Sequence, residues 1–127
     1  MLEGVAYNAR WLHDAVESFA GRRLDPIRII GGGSQSDLWC QIHADVMDRE
    51  IERVRQPVNA GLRGAAILAA LSLGVLASED VRAAVPVEKT FTPNAATRER
   101  YDRLYAEFPR LYKTQKGMFG RLNAHSG

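Results

Sequence analysis

One cysteine, Cys40, stands among 127 residues, so no internal disulfide can form and stability has to come from a packed core. A lone cysteine fits a reducing compartment, and on a helix it reads as a small buried apolar residue rather than a reactive thiol. Charge is also scarce in net terms: 17 basic against 15 acidic residues leave +2, too little to argue for nucleic acid or a membrane surface. The N-terminus has no basic stretch leading into an apolar run, so no signal peptide is expected. The longest apolar run, residues 64–71, is far too short to cross a bilayer, and a cytoplasmic location is expected. No Gly-x-x-x-x-Gly-Lys-Ser/Thr phosphate loop occurs. Residues 31–36 also fail the dinucleotide fingerprint, because serine holds the last glycine position and no acidic residue ends a following strand at the usual distance. Three scattered histidines, His13, His43 and His125, with one cysteine, make no metal-ligand set. The carboxylate pairs Asp45 with Asp48 and Glu50 with Glu52 read as structural or solvated. No catalytic residue and no metal ligand is assigned to this chain.

What is present centres on residues 27–39. Ile27-Arg28-Ile29-Ile30 is a short β-branched run that feeds three glycines, Gly31, Gly32 and Gly33, and then a helix cap. Glycine carries no Cβ, so a ligand can come close to the backbone there. Ser34 followed by Asp37 fits a capping box, which would set free helical N–H groups beside the glycines. Strand, glycine loop and helix N-terminus together suit an anion or the polar edge of a nucleotide.

The rest of the chain alternates helix and strand, as an α/β layer does. Residues 2–20 carry Leu2, Val5, Ala6, Ala9, Leu12, His13, Val16, Phe19 and Ala20 at helical spacing, with Gly21 as a stop. A strand at about 27–30 and a helix at about 35–47 follow, with Leu38, Ile42 and Val46 as its buried stripe and Trp39 and Met47 on its margin. Residues 50–54 alternate as a strand with one wet face, ended by Pro57. Residues 60–74 are apolar on nearly every side, which predicts a buried helix; Gly61 and Gly64 either make room for a ligand or allow tight helix packing. A short helical turn is expected at Ser78, and Thr92-Pro93 reads as the cap and first position of a last helix. In that helix Tyr101, Leu104, Tyr105, Phe108, Leu111 and Tyr112 form a core stripe, Pro109 should kink or split it, and the tail from Gln115 should fray.

Residues 29–46, Ile-Ile-Gly-Gly-Gly-Ser-Gln-Ser-Asp-Leu-Trp-Cys-Gln-Ile-His-Ala-Asp-Val, resemble the adenosine-binding motif of the FGGY family of carbohydrate kinases, most of all the xylulokinases. Three further stretches agree in the same order. Residues 3–8 resemble the helix before the motif, residues 64–70 the Gly-Ala-Ala helix after it, and residues 101–105 with Leu122-Asn123 the family's C-terminal end. The resemblance covers residues 2–123.

It implies a fold, part of an actin-like, ribonuclease-H-like α/β domain with helices packed on a small sheet. It also implies that residues 1–127 are the C-terminal portion of the family's nucleotide-binding domain, without the N-terminal sugar-binding domain. Gly31, Gly32 and Gly33 then match the glycines that hold the adenine and ribose of ATP. Ser36 falls where relatives place an asparagine or serine against the adenine, and Gln35 and Asp37 lie beside it. Gly61 and Gly64 would belong to a helix packed under that site. The family's sugar site, catalytic aspartate and phosphate-gripping loops find no matching residue here. Mg²⁺ and the sugar substrate, a ketose such as xylulose, would therefore be handled by the full-length parent, and this portion alone is expected to be inactive. Two other readings stay open: a non-catalytic, self-associating assembly module forming a homo-oligomer, and one half of a split kinase. Neither nucleic acid nor membrane is an expected partner.

Overall fold

A computed structural model describes residues 2–124; His125, one of the three histidines weighed above, lies outside the described residues. Seven principal elements follow in chain order: α1 (Leu2–Ala20), β1 (Ile27–Ile29), α2 (Asp37–Met47), β2 (Ile51–Val54), α3 (Ala60–Ser72), β3 (Val87–Phe91) and α4 (Arg98–Asn123). Short 3₁₀ turns at Gly32–Gln35, Pro57–Asn59, Ser78–Asp80 and Ala95–Thr97 connect them.

β1 and β2 run parallel, with Ile27 opposite Ile51 and Ile29 opposite Arg53. Parallel neighbours need a crossover, and α2 supplies it. β3 then pairs antiparallel with β2, Ile51 facing Phe91, so β2 is the centre of a mixed three-stranded sheet. β3 has no counterpart in the sequence reading, because Val-Glu-Lys-Thr-Phe carries only two strongly apolar residues at its ends. The fold class is nevertheless the expected one, helices packed on a small sheet.

α2 holds the molecule together because it is buried on two sides. Toward the sheet, Cys40, Ala44 and Met47 pack with Ile51 and Phe91, and Ala9, Ile27 and Ile29 close the edge. Toward the helices, Ile42 and Val46 meet Ala6 and Tyr7 of α1, with Tyr101, Tyr105 and Phe108 of α4 against them. The ring of Tyr7 lies 5.7 Å from Phe108 and 6.3 Å from both Tyr101 and Tyr105, an arrangement in which each aromatic pair adds about 0.5–1.5 kcal/mol beyond simple burial. Of the stripe expected as core on α4, Tyr101, Tyr105 and Phe108 pack against the core partly buried, while Leu104, Leu111 and Tyr112 are exposed, a correction to the sequence expectation. Asp45 is buried and structural: its Oδ1 accepts from Gln41 Nε2 and from the Asn94 amide, both at 2.8 Å.

Several local expectations are corrected. Ser36, not Ser34, caps α2: its Oγ accepts from the Trp39 amide at 3.3 Å, while the Ser34 hydroxyl turns inward and donates to the Gly31 carbonyl at 2.6 Å. Leu38 is exposed, since the buried sector of α2 is rotated onto Cys40, Ala44 and Met47. On α1 the buried edge is Ala6 and Tyr7, and Val5, Leu12, Val16 and Phe19 face outward. His13, placed on the apolar stripe by spacing, lies 3.7 Å from Glu17 one turn on. Arg53 shares the strand face of Ile51, opposite the Glu50 and Glu52 side, and is buried there. The last helix is entered through Asn94, whose side chain accepts from the Ala96 amide, rather than through Thr92-Pro93. That helix passes through Pro109 without a break and continues to Asn123, past the point where fraying is expected.

The largest correction concerns α3. None of its residues is buried, and Leu62 and Leu68 are 75% and 66% exposed. A helix apolar on nearly every side is left uncovered by the described residues.

Candidate functional site

The two parallel strands run the same way, so their carboxyl ends share one edge of the sheet. Ligand sites of open α/β sheets sit at that edge. Here β1 runs out into the glycine loop and β2 into Arg55, Gln56 and Pro57. The two exits are joined by a hydrogen bond from the Gly31 amide to the Pro57 carbonyl, 2.9 Å long.

The three glycines differ in what demands them. Gly31 has φ 89°, a left-handed conformation that a side chain strains. At Gly33 a Cβ would lie 3.2 Å from Nε1 of Trp39, so the indole sets the limit there. Gly32 has neither reason: its φ is not positive, and among the described residues a Cβ would meet nothing within 4 Å.

Around the loop, buried polar groups hold the backbone. The Ser34 carbonyl accepts from Cys40 Sγ at 3.2 Å and from Arg53 Nη1 at 3.3 Å. The same Nη1 reaches the Gln35 carbonyl at 3.4 Å and Asp37 Oδ1 at 2.7 Å. Asp37 also accepts from Lys89 Nζ at 2.6 Å through its other oxygen. Hydrogen bonds from Lys89 and then Arg53 hold the Asp37 carboxyl below the ordinary range, and burial pushes the Cys40 thiol up.

The expected adenosine residues do not share one cavity. Gly33 and Ser36 line a mainly apolar hollow of about 300 Å³ with Leu2 and Trp39. Gln35 lines a polar pocket of about 550 Å³ with Asp37, Arg53, Arg55, Gln56, Pro57 and Glu88. Gln56 there has φ 49°, an uncommon conformation for a residue with a side chain. Gly31 and Gly32 line neither hollow. Gly61 and Gly64 face open space, so tight helix packing does not account for them among the described residues.

Trp39, Arg53 and Lys89 belong to this region and were not singled out as site residues from the sequence. Trp39 reads there as the margin of an amphipathic helix, and Arg53 only as part of an alternating strand. Lys89 sits on the strand that has no sequence signal. His43 is occupied, its Nδ1 lying 2.9 Å from the Trp39 carbonyl. Among the described residues, no three His, Cys, Asp or Glu side chains gather as a metal-binding group, and no helix is long and apolar enough to cross a membrane.

Comparison with known proteins matches this geometry to one family. Residues 1–73 match the profile of the FGGY family of carbohydrate kinases, C-terminal domain. The xylulose kinase of Staphylococcus epidermidis is 32% identical over 126 residues, which are 96% of this chain and 25% of that protein. The glycerol kinase of Pseudomonas fluorescens is 35% identical over 106 residues, 83% of this chain and 21% of the relative. The crystal structure of xylulose kinase from Rhodospirillum rubrum superposes with a TM-score of 0.73 at 37% identity, over 93% of this chain and 24% of that one. A ligand-bound xylulose kinase from Lactobacillus acidophilus, 22% identical, shares the fold with a TM-score of 0.74 over 95% of this chain and 24% of its own. The chain thus spans about a quarter of the length of the relatives it matches. It belongs to the FGGY family of carbohydrate kinases.

Proposed function

We propose that this chain is the adenosine-holding portion of a carbohydrate kinase, that residues 1–127 form the C-terminal part of its nucleotide-binding domain, and that the parent reaction phosphorylates a ketose such as xylulose. The observation that carries the nucleotide reading is Gly32. It is a glycine with no conformational or steric need for glycine inside the described chain, on a loop at the carboxyl ends of two parallel strands. A surface that must stay bare is explained by a ligand that lies against it.

The residues fit adenosine. A purine needs an apolar wall and close backbone, and the hollow formed by Gly33, Ser36, Trp39 and Leu2 offers both. Ser36 is exposed at the helix start, where its hydroxyl can meet a base edge while its oxygen caps Trp39. Gly31 and Gly32 bring the backbone to the ribose, and Gln35 reaches toward the polar pocket on the other side of the loop. ATP, carrying Mg²⁺ on its phosphates, supplies the phosphoryl group that passes to a sugar hydroxyl. This chain's residues hold the nucleoside end of that molecule. Phosphoryl transfer also needs a base that receives the hydroxyl proton and groups that grip the phosphates, and no residue of this chain is assigned to either task. The pure chain mixed with ATP, Mg²⁺ and a panel of ketoses and polyols should therefore show no turnover. Clear turnover would sink the claim that this portion is inactive alone.

The choice of xylulose rests on relatives named xylulose kinase, which extend over more of the chain than those named glycerol kinase. A parent enzyme, or a co-purifying N-terminal chain, that phosphorylates glycerol and not xylulose would overturn it.

One observation favours a second reading. The exposed leucines Leu62, Leu68 and Leu73 along α3 suit a self-associating, non-catalytic module forming a homo-oligomer. Sedimentation separates the two: a monomer that still binds ATP excludes the module, and a stable oligomer indifferent to ATP supports it.

A further inference from the structure

We infer that Arg53 is the positioning residue of the nucleotide loop, a side chain that shapes the glycine turn from beneath without touching the ligand. The inference rests on the adenosine reading above for its consequence, though not for its geometry.

Arg53 stands on β2, the central strand, and is only 9% exposed. Arginine is rarely so covered unless its donors are used. Its Nη1 carries two protons and meets three acceptors, the carbonyls of Ser34 and Gln35 and the Asp37 carboxylate, so one of those bonds is shared. Its other terminal nitrogen lies 3.5 Å from Glu88 on β3. The guanidinium carbon is 5.6 Å from the centre of the Phe91 ring, which fixes the plane from the sheet side. A planar fork with fixed donors can gather two carbonyls and a carboxylate at once, and a lysine ammonium cannot reproduce that geometry.

What this does to the loop follows from the peptide bond. In a trans peptide the C=O and the next N–H point in opposite directions. Drawing the carbonyls of Ser34 and Gln35 toward Arg53 turns the amides of Gln35 and Ser36 away from it. The curl of the turn, and with it the approach of Gly33 to the Trp39 indole, is thereby set by a residue eighteen positions away in sequence from Gln35. Asp37 extends the hold into the first turn of α2, and Lys89 secures Asp37 from the third strand.

The test uses Trp39 as a reporter, since its indole lies against Gly33. Trp11 is the second of two tryptophans, and Trp11→Phe leaves Trp39 alone. In that background Arg53→Met should alter Trp39 emission in the absence of ligand and raise the dissociation constant for Mg·ATP roughly tenfold or more, the scale on which supporting residues act. Arg28→Met is the control. It breaks a comparable ion pair, with Glu52, on the neighbouring strand, and should lower thermal stability without moving Trp39 emission or ATP affinity. If Arg53→Met fails to fold, Arg53→Lys keeps the charge and stem, and the same two changes are expected in smaller size. Emission and affinity both unchanged in a folded Arg53 variant would overturn the inference, as would equal changes in Arg28→Met. A wild-type chain that binds no ATP, while Arg53→Met still shifts Trp39 emission, would sink the nucleotide reading and keep Arg53 as the residue that shapes the turn.

Discussion

α2 and α3 are two helices of similar length with opposite fates. α2 mixes polar and apolar residues, including His43 and Asp45, and seven of its eleven residues are buried. α3 is nearly all alanine, leucine, isoleucine and glycine, and none of its residues is buried. Topology explains the difference. α2 is the crossover between β1 and β2, so the chain must lay it on the sheet, and α1 and α4 then close over its other side. α3 leaves the sheet after β2 and stays in contact mainly with the turn at Pro57–Asn59 from which it starts. Apolar content says that a helix needs a cover; connectivity decides whether this chain can provide one.

The largest effect should come from putting a charge on each helix. Val46→Asp buries an unpaired carboxylate at a fully covered position of α2 and should cost at least about 4 kcal/mol, enough to unfold much of the population in denaturant titration. Leu68→Asp on α3 should stay within about 0.5 kcal/mol of the parent. A comparable loss at Leu68 would break the comparison and show that α3 is covered in solution, as the self-associating reading requires.

Tyr7, on the helix side of α2, sharpens it next. Tyr7→Ala removes a ring with three aromatic neighbours and should cost about 3 kcal/mol in chemical unfolding. Its hydroxyl is buried with no hydrogen-bond partner among the described residues, so Tyr7→Phe relieves an unsatisfied group and should stabilise by about 1 kcal/mol. A destabilised Tyr7→Phe would show that the hydroxyl has a partner in solution.

The smallest effect lies where α1 meets the exit of α2. The Arg49 guanidinium at 2.6 Å and the Leu24 amide hold the Glu17 carboxyl down from 4.5 to about 2. A depressed carboxylate stabilises the fold fully above its unfolded value and loses that contribution as pH falls through the folded one. The difference in melting temperature between wild type and Glu17→Gln should therefore be constant above pH 4.5 and shrink as pH falls toward 2. A difference that persists unchanged to pH 2 would remove the pair from the account.

Much of this was legible in the residues because periodicity and punctuation are local. α1, the strand before the glycines, the crossover helix and the Tyr101, Tyr105 and Phe108 positions of α4 follow from spacing alone. What was not legible is set by distant partners. Ser34 looks like a cap and is instead drawn inward by Gly31 and Arg53. Arg53 carries no site signal in the sequence and is buried on the Ile51 face of β2, beside β3, a strand without a clear pattern. α3 looks buried because burial follows from composition only when the cover is part of the same chain. Gly31, Gly32, Gly33 and Ser36 follow β1 along one stretch of chain, which spacing makes legible, while the division between an apolar and a polar hollow depends on Trp39 and Arg53, which approach from α2 and β2.

Gly32 carries the central claim, and calorimetric titration of the chain with Mg·ATP, beside a Gly32→Val variant, tests it most directly. A valine there meets nothing among the described residues at its Cβ and requires no left-handed backbone, so the variant should fold. The prediction is saturable binding by the parent and none by Gly32→Val at unchanged melting temperature. A folded Gly32→Val chain that binds ATP as well as the parent would contradict it.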